Sequence, residues 1–233
     1  MEFCQINIHK EDFNKNDLVV GNLLGDAHIG KDGRISVWHT EKQKEYTLWL
    51  MNLYKKYFKV KYKERECYLR STNQKYKQVG FQTSATDYTR LVRMFFYCPN
   101  KRITMKQLKK LSPLGLAIWY MDDGNLSFIK DKEHKICGRQ LILNTQSFSF
   151  DEQEIIMKYF KEIWNITCNI HHDHDSYRIW MNGTEGAKFL NIISKYIPEC
   201  MYYKLCYRYH GYKSSNNLCK KQCEHGNCPY GIV

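Results

Sequence analysis

Apolar and polar positions along this chain follow two periods, one helical and one of two residues, and the same succession of segments occurs twice. In the first pass, residues 17 to 25 read as a helix within "VVGNLLGDAHIG", and "RISVWHT" from Arg34 reads as a strand. "KEYTLWLMNLYKKYF" then sets Tyr46, Leu50, Leu53 and Tyr57 at helical spacing. Residues 60 to 70 and 79 to 84 read as strands, and 86 to 98 as a helix begun by "TSATD". The second pass predicts a helix over 113 to 121, strands near 125 to 130 and 139 to 145, and a helix over 151 to 164 capped by "SFDEQE". Strands near 167 to 172 and 176 to 182 and a helix over 184 to 196 complete it. The chain is therefore read as α+β, each half taking the order αββαββα, with Asp26 and Asp123 at equivalent points. The repeats are placed at 1–110 and 111–212, followed by a distinct stretch at 213–233.

The apolar helices end badly for their charge. "LAIWYMDDGN" puts Asp122 and Asp123 at a helix C-terminus, which already carries roughly half a negative charge. The earlier run stops in the same way at Gly25-Asp26. If the halves pack about a pseudo-twofold axis between these helices, Gly21, Gly25 and Ala117 let the backbones approach, and the two acidic ends meet. Facing carboxylates repel, and a divalent cation resolves the conflict. Carboxylates with the helix-end carbonyls of Ala27 and Gly124 are hard oxygen ligands suited to Mg²⁺, with Mn²⁺ the alternative. Taken singly, "GDA" and "DDG" are ordinary turn signals; their pairing on two matched helices is what points to a site.

Composition narrows the partner. The 36 Lys and Arg against 24 Asp and Glu give a net charge of +12, accompanied by 18 tyrosines, so a polyanion fits better than an acidic or neutral surface. No apolar stretch approaches the roughly 18 residues of a membrane span, and the first 15 residues hold no signal-peptide core. An intracellular protein with no membrane partner is expected; organelle, bacterial cytoplasm and phage-infected host are not distinguished. Cys4, Cys67, Cys98, Cys137, Cys168, Cys200 and Cys206 are scattered, which favours reduced and mostly buried thiols. In "LCKKQCEHGNCPYG", by contrast, Cys219, Cys223, His225 and Cys228 lie close enough for one structural Zn²⁺. A zinc knuckle and a thiol-rich tail both remain open, and "GYKSSNN" reads as the linker before it.

Between Tyr54 and Gly80 stand Lys55, Lys56, Lys59, Lys61, Lys63, Arg65, Arg70, Lys75 and Lys77 against only Glu64 and Glu66. Alternation in "KVKYKERECYLR" puts Lys59, Lys61, Lys63 and Arg65 on one strand face, as a ribbon facing nucleic acid or a lysine-guarded edge would have them. Lysines would contact phosphates, while Gln82, Thr83, Gln140 and Asn144 could address base edges; Arg34 and Arg139 join the candidate nucleic-acid-binding set.

The segments "LLGDAHI" and "WYMDDGN" resemble the paired signature helices of LAGLIDADG homing endonucleases, and "LILNTQSFSFDEQE" and "PECMYYKL" resemble further segments of the monomeric branch that includes the mitochondrial omega-intron endonuclease. The likeness covers roughly residues 17 to 208. Ile118 and Asp122 occupy positions that are small in the motif, and the role of Asp122 stays open. The resemblance implies two curved antiparallel sheets forming a saddle over duplex DNA. It maps Asp26 and Asp123 onto the metal-binding catalytic acids, and Lys101 and Lys204 onto peripheral active-site lysines. It implies a monomeric, site-specific double-strand endonuclease of a mobile intron or intein, acting by metal-assisted hydrolysis. The alternatives are an RNA maturase aiding its host intron and a DNA-binding regulator without catalysis.

Overall fold

The computed structural model describes residues 14–69, 73–97 and 100–205. Arg70 and the Cys219, Cys223, His225, Cys228 group lie outside the described residues.

The first half runs α1 (Lys15–Leu24), β1 (His28–Ile29), β2 (Ile35–Thr40), α2 (Lys44–Lys55), β3 (Val60–Leu69), β4 (Gln74–Thr83) and α3 (Asp87–Phe96). After a short α4 (Met105–Leu108) the second runs α5 (Pro113–Asp123), β5 (Gly124–Lys130), β6 (Ile136–Leu143), α6 (Phe150–Trp164), β7 (Asn169–Asp173), β8 (Ser176–Asn182) and α7 (Gly183–Ile193). Each half holds one four-stranded antiparallel sheet, in the orders β1-β2-β4-β3 and β5-β6-β8-β7. The expected α+β duplication stands. The pattern had not singled out β1, which is only two residues long, or the one-turn α4.

Local chemistry fixes the helix starts. The side chain of Asn14 accepts the Asp17 backbone N–H at the head of α1. Capping boxes open α3 (Thr86 with Thr89), α4 (Thr104 with Gln107) and α6 (Ser149 with Glu152). Pro113 opens α5, and α6 is closed by Asn165 in the left-handed region at φ 51°.

The two signature helices are apolar on every side because they are enclosed on every side: Leu114 to Met121 of α5 and Asp17 to Leu24 of α1 are all buried. They pack on one another more closely than ordinary helices. A Cβ on Gly21 would lie 2.3 Å from the carbonyl oxygen of Gly115, and one on Gly25 would lie 2.5 Å from the side chain of Asp122. The seam is thus made by Gly21 against Gly115 and Gly25 against Asp122. Ala117, the third small residue expected there, is fully buried.

Among the described residues, no helix is long and apolar enough to cross a membrane. Of the cysteines there, Cys168 is buried, but Cys67 and Cys200 are half-buried and Cys137 is exposed, so the expectation of mostly buried thiols holds for one of the four.

Candidate active site at the paired helix ends

The end of α5 and the turn after α1 bring three carboxylates together rather than two. Asp122 is the interior one, its side chain wholly shielded from solvent. Its Oδ1 accepts the Tyr46 hydroxyl at 2.7 Å; its Oδ2 accepts the Asn22 amide at 2.8 Å and the Asp26 backbone N–H at 3.2 Å. Asn22 is held in turn by the Tyr54 hydroxyl, which donates to its Oδ1 at 3.1 Å. This explains how a charged residue occupies a position that is small in the motif: Gly25 leaves the space, and three donors satisfy the carboxylate.

Asp26 stands at the rim with its side chain 43% exposed. Between it and Asp122 lies the imidazole of His39, which β2 carries inward on the face shared with Ile35 and Val37. His39 Nε2 is 3.5 Å from Asp26 Oδ2 and 3.8 Å from Asp122 Oδ1, and no hydrogen bond of ordinary length reaches it. Burial works against its charge, yet the Asp122 and Asp26 carboxylates outweigh burial and raise its pKa to about 9. The Tyr46 hydroxyl is pushed well above its usual range by burial and then by Asp122, so it stays a donor.

Asp123 meets a different setting. Burial, followed by the charges of Asp122 and Asp26, raises its pKa to about 8, against the opposing pull of Lys101 and Lys204. Lys101 is lowered by burial, with Asp123, Asp122 and Asp26 pulling it back up. Lys204 donates to the Gly124 carbonyl at 2.7 Å, so that oxygen, expected as a metal ligand, already has a partner. The Ala27 backbone N–H is bonded to the Asn22 carbonyl.

These residues fit a divalent cation. The donor atoms of Asp26, His39 and Asp122 all lie within 4.8 Å of one another, and a buried ring nitrogen without a hydrogen bond points among the carboxylates. Sequence reasoning brought Asp26, Asp122, Asp123, Lys101 and Lys204 to this point but missed Asn22, His39, Thr47 and Gly115 as parts of it. Two signals were legible: Asn22 is the one polar residue inside "VVGNLLG", and "ISVWHT" places His39 on an apolar strand face.

The basic candidates divide by strand alternation. Cross-strand pairing puts Lys61 beside Gln82, Lys63 beside Gly80 and Arg65 beside Gln78, all on the face of the first sheet turned away from its core. Ser36 and Trp38 of β2 share that face, and the Arg65 guanidinium lies 3.9 Å from the Trp38 ring centre. Arg34 and Lys59 flank β2 and β3 in the same alternation. Lys75 and Lys77 pair with Tyr68 and Glu66 and fall on the opposite face of the hairpin, in phase with Val79 and Phe81.

Both outer faces hold a glutamine in a fixed network. Gln82 accepts from Lys63 at 2.7 Å and donates to Ser36 at 3.2 Å; Gln140 accepts from Trp180 at 2.6 Å and donates to Ser127 at 2.9 Å. Thr83 is buried, its hydroxyl accepting the Ile35 N–H. Arg139 is in phase with Leu141 rather than with Gln140. Asn144 follows β6 and donates through both its backbone and its side chain to the Asp123 carbonyl, so it braces the acid.

Residues 16–189 match the family described as the LAGLIDADG DNA endonuclease family. The chain is 24% identical over 200 residues to "Probable intron-encoded endonuclease 1" of Wickerhamomyces canadensis, covering 83% of this chain and 84% of that protein. It is 27% identical over 199 residues to "Cytochrome b mRNA maturase bI2" of Debaryomyces hansenii, covering 81% and 72%. The structure of the homing endonuclease I-WcaI bound to its DNA recognition sequence aligns with a TM-score of 0.71 at 23% identity, over 83% of this chain and 86% of that one, and has the same two-repeat fold.

Proposed function

The chain belongs to the LAGLIDADG DNA endonuclease family, and from that premise we propose that it makes site-specific double-strand breaks at a long, asymmetric target, as the monomeric endonuclease of a mobile intron or intein. The observation that carries this reading is the convergence of Asp26, Asp122 and Asp123 with Lys101 and Lys204 where the two signature helices end. Asp26 and Asp123 would hold divalent metal, Mg²⁺ or Mn²⁺. When bound, the metal would lower the pKa of a water and stabilise charge on the attacked phosphate.

The chain's own residues do the rest. Lys101 and Lys204 place positive charge where the phosphate gains negative charge. The Lys61, Lys63 and Arg65 face binds the duplex backbone, and Gln82 and Gln140, held in position by their networks, present amides to base edges. Tyr46, Asn22 and Asn144 keep the carboxylates in place before substrate arrives.

Incubating the purified protein with a randomised duplex library and Mg²⁺, then sequencing the ends, should return one long motif cut on both strands. No enrichment of broken ends would overturn the reading. A second reading, a maturase assisting its host intron, is supported by the likeness to a protein named a maturase. Accelerated splicing of a cognate intron in vitro would favour it.

A further inference from the structure

We infer that His39 is a nitrogen ligand to the metal on the Asp26 side, giving that half a mixed nitrogen and oxygen donor set with Asp26 and Asp122 that the Asp123 half lacks. The inference rests on the proposed reading that these helix ends hold a divalent cation.

Thr47 orients the His39 ring. Its hydroxyl has one proton, donated to the Gln43 carbonyl at 3.0 Å. The oxygen must therefore accept from His39 Nδ1, 2.9 Å away, which fixes the proton on that nitrogen. Nε2 is left as the atom that faces the carboxylates. This is the arrangement of a metal-bound histidine, whose second ring nitrogen donates to a neighbouring acceptor and so orients the ring.

Without metal, Nε2 can carry a proton between the two carboxylates, and a cation bound there would take that proton's place. His39 is 3% exposed, Nε2 has no hydrogen bond, and its nearest polar neighbours are acceptors at 3.5 and 3.8 Å. Donors bonded to one ion at about 2.0–2.2 Å sit roughly 3–4.4 Å from one another. Asp26, His39 and Asp122 all fall within 4.8 Å, and no other three metal-binding side chains do so among the described residues. The oxygens of Asp122 keep capacity for a metal, because an ionised carboxylate offers about four acceptor directions and this one uses three. Imidazole suits Zn²⁺ and the later first-row ions, Mg²⁺ takes oxygen ligands, and Mn²⁺, a first-row ion that also favours oxygen, accepts an imidazole nitrogen more readily than Mg²⁺. The two halves should then differ in metal preference.

The test uses the full chain without DNA. With Mn²⁺ bound, pulsed EPR should detect directly bonded imidazole nitrogen. His39→Gln should abolish that signal and weaken Mn²⁺ binding by about 10–100-fold while changing Mg²⁺ binding by less than about threefold. Thr47→Val, which removes only the orienting acceptor, should weaken Mn²⁺ with the nitrogen signal kept, and Asp123→Asn should keep the signal too. Circular dichroism distinguishes a misfolded His39→Gln protein, in which case Thr47→Val and Asp123→Asn carry the test. No Mn²⁺ binding, no nitrogen signal in the parent chain, or a signal that survives His39→Gln in a folded protein overturns the inference. DNA cleavage without the nitrogen signal would sink this inference alone, whereas the signal without cleavage would sink the endonuclease reading alone.

Discussion

The two acids that the duplication makes equivalent have unequal surroundings. Asp26 is at the rim beside a buried imidazole, while Asp123 is half-buried with Lys101 and Lys204 as its cations and Asn144 bracing its carbonyl. Two copies of one fold thus built one composite site with a different way of balancing negative charge in each half. The lesson is that internal symmetry specifies where carboxylates meet, and neighbouring strands and loops specify how each is held.

The sharpest attack on this comparison removes one charge at a time. Asp26→Asn and Asp123→Asn should each lower double-strand cleavage by about 10³-fold or more, the scale of losing a preorganised charged group, with duplex binding retained. Plasmid assays separate the halves: accumulation of a nicked product that differs between the two variants means each acid serves one strand, and wild-type cutting by both removes the site from the mechanism.

The next test contrasts the interior carboxylate with the rim one. Asp122→Ala leaves the Tyr46 hydroxyl, the Asn22 amide and the buried His39 without their acceptor and should cost about 3 kcal/mol in urea denaturation. Asp26→Ala, at an exposed position, should stay within about 0.5 kcal/mol. Equal losses would mean that Asp122 is no more structural than Asp26.

These two residues also mark how far the sequence could be read. The αββαββα order and the meeting of acids at helix ends follow from periodicity and from where apolar runs stop. The role of Asp122 does not, because its acceptor contacts come from α2 and from the facing helix, and its space comes from a glycine nearly a hundred positions away. His39 was hidden for a related reason. A histidine on an apolar strand face signals burial, but only the fold brings it against two carboxylates. The faces of the β3–β4 hairpin were partly legible: alternation placed Lys61, Lys63 and Arg65 together, but assigning Lys75 and Lys77 required the cross-strand register.

That register gives the third test. Affinity for duplex DNA should fall with salt with a log–log slope above about 4 in magnitude, and replacing Lys61, Lys63 and Arg65 together by alanine should lower it by about 3, near 0.9 per phosphate contact. Lys75→Ala with Lys77→Ala should change it less. A larger change from the second pair would assign DNA to the other face.

A last test lies in the pH dependence of the metal-free protein. Folding holds the Asp123 proton up to about 8 instead of 3.8, and the His39 proton up to about 9 instead of 6.5. The folded chain then binds more protons between about pH 4 and 9, so its stability should fall as pH rises through that window. Urea midpoints at pH 6 and pH 9 check the sign, and Asp123→Asn should flatten the lower part of the curve while leaving the part due to His39.

Gly25 facing Asp122 has a consequence for how the gene can be recombined. The seam works because one half contributes the smallest side chain and the other a carboxylate that fills the space. A homodimer of two first halves would leave that space empty, and one of two second halves would force two buried carboxylates into it. Domain shuffling with a relative must therefore transfer position 25 and position 122 as a matched pair, and neither half duplicated alone would rebuild this seam.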